Sequence, residues 1–337
     1  MRRPAGTARR RRRPGVLRRL FPRPRRQQAG GIPHRSSQLT SRGATVLINR
    51  GGGAASADDE IAEKVKTALN GAGVDAEVEL IDGGEIEARC KAIVERGDPL
   101  LIVGGGDGSI SAAAGAAADS ETRLGILPLG TLNHFARDLG ISVKLDEAAA
   151  TIAAGHERRV DIAEMNGRTF INNSAVGLYP LMVVDRETQR KRLGRSKRFA
   201  LLVASLRTVI RFKHERLTLT VNNSEKGVVD TPLLFVGNND YALELPAAGK
   251  RDRLDDGILC VLVLRKKNRL GLFAASLRAL AGMTRKDDMV RLDDVERLRV
   301  AGRRTRMTVS LDGETVSMDC PLDYRIRKAA LRVIAPK

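Results

Sequence analysis

A single carboxylate sits inside a run of glycines at residues 101–115, L-I-V-G-G-G-D-G-S-I-S-A-A-A-G. Glycine lets a backbone approach a ligand closely and aim its N–H groups at it. A helix starting directly afterwards adds its positive end, so the pattern suits an anion. Asp107 repels a phosphate at such a place unless a cation lies between them or the carboxylate orders the surrounding donors. Two further glycine turns follow strand-like runs, N-R-G-G-G at 49–53 and P-L-G-T-L-N at 128–133. One such turn reads equally well as a tight turn whose Asp107 caps the next helix. Three at successive strand ends favour a ligand, and a nucleotide with Mg2+ fits the aspartate. Two acidic turns come later, R-L-D-D-G-I at 253–258 and S-L-D-G-E at 310–314. The second reads as a hairpin holding Asp312 and Glu314 side by side, where like charges raise a pKa, or as an ordinary Asp-Gly hairpin with solvated acids. The first reads as a simple turn before a strand.

Several chemistries are excluded. No Gly-Lys-Ser/Thr closes the glycine loop, so it is not a Walker A loop, and its spacing does not fit the dinucleotide fingerprint. Cys90, Cys260 and Cys320 are far apart and the four histidines are scattered, which argues against zinc and against a disulfide framework and fits a reducing cytoplasm. No apolar run approaches the roughly 20 residues of a membrane span. Of the net charge of +19, thirteen arginines fall in residues 1–35, which hold no acidic residue. That Arg/Pro-rich tail lacks a secretory apolar region and reads as disordered, either merely solvated or an electrostatic anchor for anionic lipid or nucleic acid.

The acidic turns must be positioned by the rest of the chain. From residue 44 short apolar strands alternate with helical stretches at 56–70, 85–96, 109–118 and 132–139. This rhythm predicts a parallel sheet with right-handed crossovers. Ligands of such sheets bind beyond the carboxyl ends of the strands, where the three glycine turns lie. After about residue 155 strands follow one another through N-G and D-D-G turns, interrupted by helical stretches at 196–212 and 268–281. R-T-F-I-N-N-S-A-V reads as one strand, and L-R-V-I-A-P as the last. The fold class is therefore an α/β N-terminal nucleotide-binding domain with a parallel sheet, followed by a mainly antiparallel β C-terminal domain. The divisions are 1–43 for the tail, 44–157 for the first domain and 158–327 for the second, with 328–337 crossing back to complete the first.

G-G-G-D-G-S followed about twenty residues on by P-L-G-T-L-N-H-F-A-R-D-L-G resembles the diacylglycerol kinase catalytic-domain family, which includes bacterial soluble lipid kinases and is related to sphingosine and ceramide kinases. V-L-I-N-R-G-G-G, R-L-D-D-G-I-L-C-V and V-S-L-D-G-E extend the likeness from residue 44 to the end. NAD kinases share a related glycine-aspartate turn without the P-L-G-T-L-N context. The resemblance implies ATP and Mg2+ as cofactors and transfer of the γ-phosphoryl group to a lipid hydroxyl. It implies that Asn49, Gly51, Gly52 and Gly53 line the nucleotide. Gly105, Gly106, Gly108, Ser109 and Thr131 would hold phosphates, Asp107 would organise the phosphate and magnesium region, and Asp161 would stand near the phosphates. It implies that Glu314 accepts the proton of the lipid hydroxyl, with Asp312 supporting it or binding magnesium. It further implies a structural magnesium site from the Asp256 carboxylate and the carbonyls of Arg253 and Ile258. Many relatives carry Asn-Asp where this chain has Asn133-His134, which leaves the role of His134 open.

The implied substrate is a lipid at the membrane surface, with diacylglycerol as the default acceptor. A sphingoid base or other lipid alcohol, and a catalytically inactive nucleotide or lipid sensor, are the alternatives. Residues 190–213, R-K-R-L-G-R-S-K-R-F-A-L-L-V-A-S-L-R-T-V-I-R-F-K, join basic clusters to an apolar helical pattern. They read either as a helix packed on the β domain or as a peripheral contact with the inner face of the cytoplasmic membrane. Aromatic residues make up 3% with no tryptophan, so no specific nucleic acid is expected. A homodimer is compatible with the sequence.

Overall fold

The computed structural model describes residues 44–52, 60–177, 214–242, 250–264 and 289–337. Gly53, the tail, the helical stretches at 196–212 and 268–281 and all of the basic-apolar segment at 190–213 lie outside the described residues. The chain begins with β1 (Ala44–Asn49), α1 (Ile61–Gly71), β2 (Ala76–Ile81), α2 (Ile86–Glu95), β3 (Leu100–Gly105), α3 (Asp107–Ala117), β4 (Arg123–Pro128), α4 (His134–Asp138) and α5 (Leu145–Ala154). Strands follow: β5 (Glu157–Met165), β6 (Arg168–Phe170), β7 (Asn173–Gly177), β8 (Glu215–Val221), β9 (Ser224–Thr231), β10 (Leu233–Asn238) and β11 (Leu259–Leu264). The last are β12 (Met289–Val295), β13 (Arg297–Gly302), β14 (Arg306–Leu311), β15 (Glu314–Asp319) and β16 (Leu322–Ile334).

The first four strands pair in parallel in the order β2-β1-β3-β4. β1 and β3 are apolar and buried almost throughout, as a sheet covered on both faces requires. The sheet continues through β16, β13, β8 and β9 to ten strands, with β5 on β16 and β6 on β5. A second sheet, β12-β11-β10-β7-β14-β15, is antiparallel throughout. The two form a sandwich: Leu219, Leu298, Val300 and Tyr324 of the long sheet share a core with Val176, Leu234, Val261 and Val309 of the second. The fold is thus an N-terminal α/β layer with a C-terminal antiparallel sandwich. Gly43–Lys337 forms one compact unit, and β16 enters the parallel part at Val333↔Leu124.

Several elements differ from the sequence expectation. α3 starts at Asp107, two residues early. α5 is a helix with no counterpart in the sequence reading. The run R-T-F-I-N-N-S-A-V is two strands, because the backbone N–H groups of Ile171 to Asn173 turn toward the Asp312 carboxylate instead of a ladder.

Candidate active site

The carboxyl ends of β1, β3 and β4 carry the three glycine turns. β1 ends at Asn49, whose Nδ2 donates to Ser109 Oγ at 2.9 Å and whose Oδ1 accepts the Gly51 N–H at 3.0 Å. One side chain thus ties the first turn to the start of α3. The turns after β3 and β4 pack backbone against backbone. A Cβ on Gly130 would lie 2.3 Å from Gly106 Cα. The Leu129 and Gly130 N–H groups both donate to Gly105 O, at 3.1 and 3.0 Å. A side chain is therefore excluded at Gly130 by the neighbouring loop itself. Asn133, left-handed at φ 50° and buried, fixes the second loop: its Oδ1 accepts the Gly130 N–H and its Nδ2 donates to Gly130 O and Pro128 O. Thr131 between them is exposed.

Asp107 does not turn toward open space. Its Oδ1 accepts the Phe135 N–H at 3.1 Å and its Oδ2 the His134 N–H at 3.2 Å. It caps α4, a helix 27 residues further on rather than the one it begins, offsetting the unsatisfied donors at that helix start. The carboxylate orders these two donors, one of the two roles the sequence leaves open to it. The backbone N–H of His134 serves as a cap donor here.

Glu314 and Asp312 arrive on the β14–β15 hairpin. Asp312 and Gly313 take φ 46° and 87°, the two left-handed residues of a tight hairpin turn. The Asp312 carboxylate accepts the N–H groups of Ile171, Asn172 and Asn173 at 2.8–3.0 Å. These three N–H donors make Asp312 a brace between the hairpin and the 171–173 segment. Glu314 is exposed and points to α3, where a Cβ on Gly108 would lie 2.8 Å from its Oε1. The hairpin of the sandwich therefore sets one carboxylate on the glycine turn of the parallel sheet. The small residues of α3 allow this approach, with a Cβ on Gly115 already 3.0 Å from Thr169 Oγ1 of β6.

Burial pushes the Asp312 carboxyl up to about 6, against the pull of its N–H donors. A folded carboxyl that holds its proton above the unfolded value of about 3.9 contributes stability that is full below that value. The contribution is lost as pH rises through about 6. Chemical denaturation at pH 4 and pH 7 tests this: the stability advantage of wild type over Asp312→Asn shrinks by about 1–3 kcal/mol on going to pH 7. An advantage that grows with pH is the contrary result.

Asp161 lies with the acidic turn. Its Oδ2 accepts the Gly257 N–H and its Oδ1 the Ala329 N–H, both at 2.7 Å. This buried carboxylate braces the 253–258 turn against β16. Burial raises its pKa, the two N–H donors lower it, and Asp255 and Asp256 raise it further. In that turn Arg253 Nε pairs with Asp255 at 3.0 Å and Asp256 at 3.4 Å, and Ile258 O accepts the Asn239 N–H. Among the described residues no three His, Cys, Asp or Glu side chains converge on a metal position. The turn offers oxygen donors only, namely the Asp256 carboxylate and the Arg253 and Ile258 carbonyls. That donor set and the local acidic excess fit Mg2+.

Sequence reasoning assigned no role to Arg251, Asp138, Asn172 or Asn133. Arg251 is a buried guanidinium joined to Asp138 and Asn172. Its isolated position in K-R-D-R carries no spacing signal, whereas Asp138 lay within the quoted P-L-G-T-L-N-H-F-A-R-D motif.

A family model for the diacylglycerol kinase catalytic domain matches residues 43–165. One for the YegS C-terminal NAD kinase beta sandwich-like domain matches residues 182–335. A diacylglycerol kinase of Staphylococcus saprophyticus is 29% identical over 236 residues, covering 68% of this chain and 75% of its own. One of Staphylococcus carnosus is 26% identical over 259 residues, covering 75% and 82%. The crystal structure of a diacylglycerol kinase from Bacillus anthracis shares the fold, with a TM-score of 0.60 at 18% identity over 87% of this chain and 97% of its own.

Proposed function

The chain belongs to the diacylglycerol kinase catalytic-domain family, and from that premise we propose that it moves the γ-phosphoryl group of ATP onto a lipid hydroxyl, with diacylglycerol giving phosphatidic acid. The observation that carries this reading is the meeting of Glu314 with Gly108, a free carboxylate set against a backbone built for phosphate.

In this reading ATP lies over the carboxyl ends of β1, β3 and β4. Asn49, Gly51 and Gly52 line the nucleotide. The turn from Gly105 to Ser109 and the N-terminus of α3, eleven residues long, face the phosphates with N–H groups and a positive helix end. The exposed Thr131 hydroxyl adds a donor. Asp107 keeps the P-L-G-T-L-N loop in register by capping α4. Glu314 takes the proton of the acceptor hydroxyl as its oxygen bonds to the γ-phosphorus and the bond to the β,γ-bridging oxygen breaks, releasing ADP. Mg2+ bound with the nucleotide would supply positive charge to the phosphate oxygens, and the Asp256 turn would hold a second ion that stiffens the 253–258 segment.

The acceptor is taken from the membrane surface by a peripheral protein. Among the described residues no helix is long and apolar enough to cross a bilayer, and the basic-apolar segment at 190–213 is the proposed contact with the inner face.

The test is transfer of label from γ-labelled ATP into a total lipid extract with Mg2+. The expected product is labelled phosphatidic acid. A labelled long-chain base phosphate moves the acceptor to a sphingoid base, and ATP binding without label in any lipid replaces the kinase reading with a nucleotide sensor.

A further inference from the structure

Arg251 is charged, and its side chain has no solvent exposure. Its contacts match its five N–H donors. Nε donates to Asp138 Oδ2 at 2.7 Å, and Nη2 reaches the same carboxylate oxygen at 2.7 Å and Asn172 Oδ1 at 2.7 Å. Nη1 donates to Ile171 O at 2.6 Å and Asn238 O at 3.2 Å. The guanidinium also lies 5.8 Å from the Phe135 ring and 5.3 Å from the Tyr241 ring. A buried charge is costly to place, and apolar residues of similar volume often hold a fold as well, so its retention points to registration rather than bulk stability.

What it registers is visible in its partners. Asp138 is the last residue of α4, where the helix end is negative and a carboxylate needs a cation. The other end of α4 is capped by Asp107. Arg251 thus makes α4 a strut between the glycine turn and the sandwich. On the sandwich side it grips Ile171 and Asn172, whose N–H groups enter the Asp312 carboxylate. Asp312 is the turn residue of the hairpin that carries Glu314, and Glu314 stands against Gly108, next to Asp107. The contacts close a ring from Asp107 through α4, Arg251, Asn172, Asp312 and Glu314 back to the glycine turn.

We infer that Arg251 is a positioning residue for phosphoryl transfer: by joining Asp138 to the 171–172 segment it sets the distance between the Glu314 carboxylate and the phosphate-facing turn. This rests on the kinase reading above. Arg251 touches none of the residues assigned to ATP or the acceptor, so it acts through Glu314.

The test uses the full chain carrying Arg251→Met, Arg251→Lys and Asp138→Asn. Arg251→Met lowers kcat by about 10- to 100-fold with KM for ATP within about twofold, because a displaced base slows the chemical step without loosening the nucleotide. Arg251→Lys, which keeps the charge and loses the fork, recovers part of the rate. In a Glu314→Gln background the further loss is below about threefold, since the residue through which Arg251 acts is already gone. Amide hydrogen exchange at Ile171, Asn172 and Asn173 speeds up while β1 and β3 stay protected. Losses that multiply fully in the double variant, or unchanged exchange at residues 171–173, overturn the inference. If Arg251→Met does not fold, Asp138→Asn carries the same comparisons. If wild type transfers no phosphate, the kinase reading has failed on its own, and the exchange measurement still decides whether Arg251 positions this segment.

Discussion

Glu314→Gln leaves ATP binding intact and lowers the rate of phosphate transfer by about 100-fold or more. The substitution keeps size and polarity and removes only the capacity to take a proton. A lipid hydroxyl is a weak nucleophile until its proton has an acceptor, and Glu314 is the exposed carboxylate that reaches the α3 turn, with Oε1 2.8 Å from where a Gly108 Cβ would be. Asp312 and Asp107 spend their oxygens on backbone N–H groups, so neither substitutes for it. Single-turnover measurement separates the step from binding and product release. A variant that turns over at the wild-type rate removes Glu314 from the role of base.

Asp107→Ala acts differently. It also abolishes turnover, by about 100-fold or more, but through the nucleotide. Losing the cap leaves the His134 and Phe135 N–H groups without their acceptor and frees the loop that presents Thr131. The cost in folding stability is about 0.5–2 kcal/mol, the usual value of a lost helix cap, so the protein stays folded. KM for ATP rises together with the fall in kcat, unlike the Glu314 variant. Steady-state kinetics beside a denaturant titration checks both halves. Normal kinetics would falsify the assignment of the phosphate site to this turn.

Much of this was legible from residue types because the determinants are local. Apolar runs punctuated by glycine mark the parallel strands, and Asp312-Gly313 marks a hairpin by its backbone preference alone. What was not legible depends on partners far away in the chain. Asp107 reads as a cap for the helix it begins, yet its acceptors serve one 27 residues later. Ile171 and Asn172 read as strand interior, and only the carboxylate at residue 312 explains why the ladder breaks there. Arg251 sits among charged residues that look like solvated surface, and its burial follows from Phe135 and Asp138 of α4 and from Tyr241, brought together from distant parts of the chain. β16 reads as a short terminal strand because R-I-R-K interrupts its apolar pattern, although those side chains lie on a sheet surface and Arg325 and Arg327 pair with Glu164.

β16 is also the strand that fills the gap between β4 and β13 in the middle of the long sheet. The order of synthesis therefore runs against the order of assembly. When residues 44–157 have left the ribosome, β4 still presents a bare hydrogen-bonding edge, and its final neighbour is about two hundred codons away. That edge is covered only when β16, near the end of the chain, takes its place beside β4. A gene divided near residue 157 would not yield two self-sufficient halves, because the first half borrows its last strand from the second.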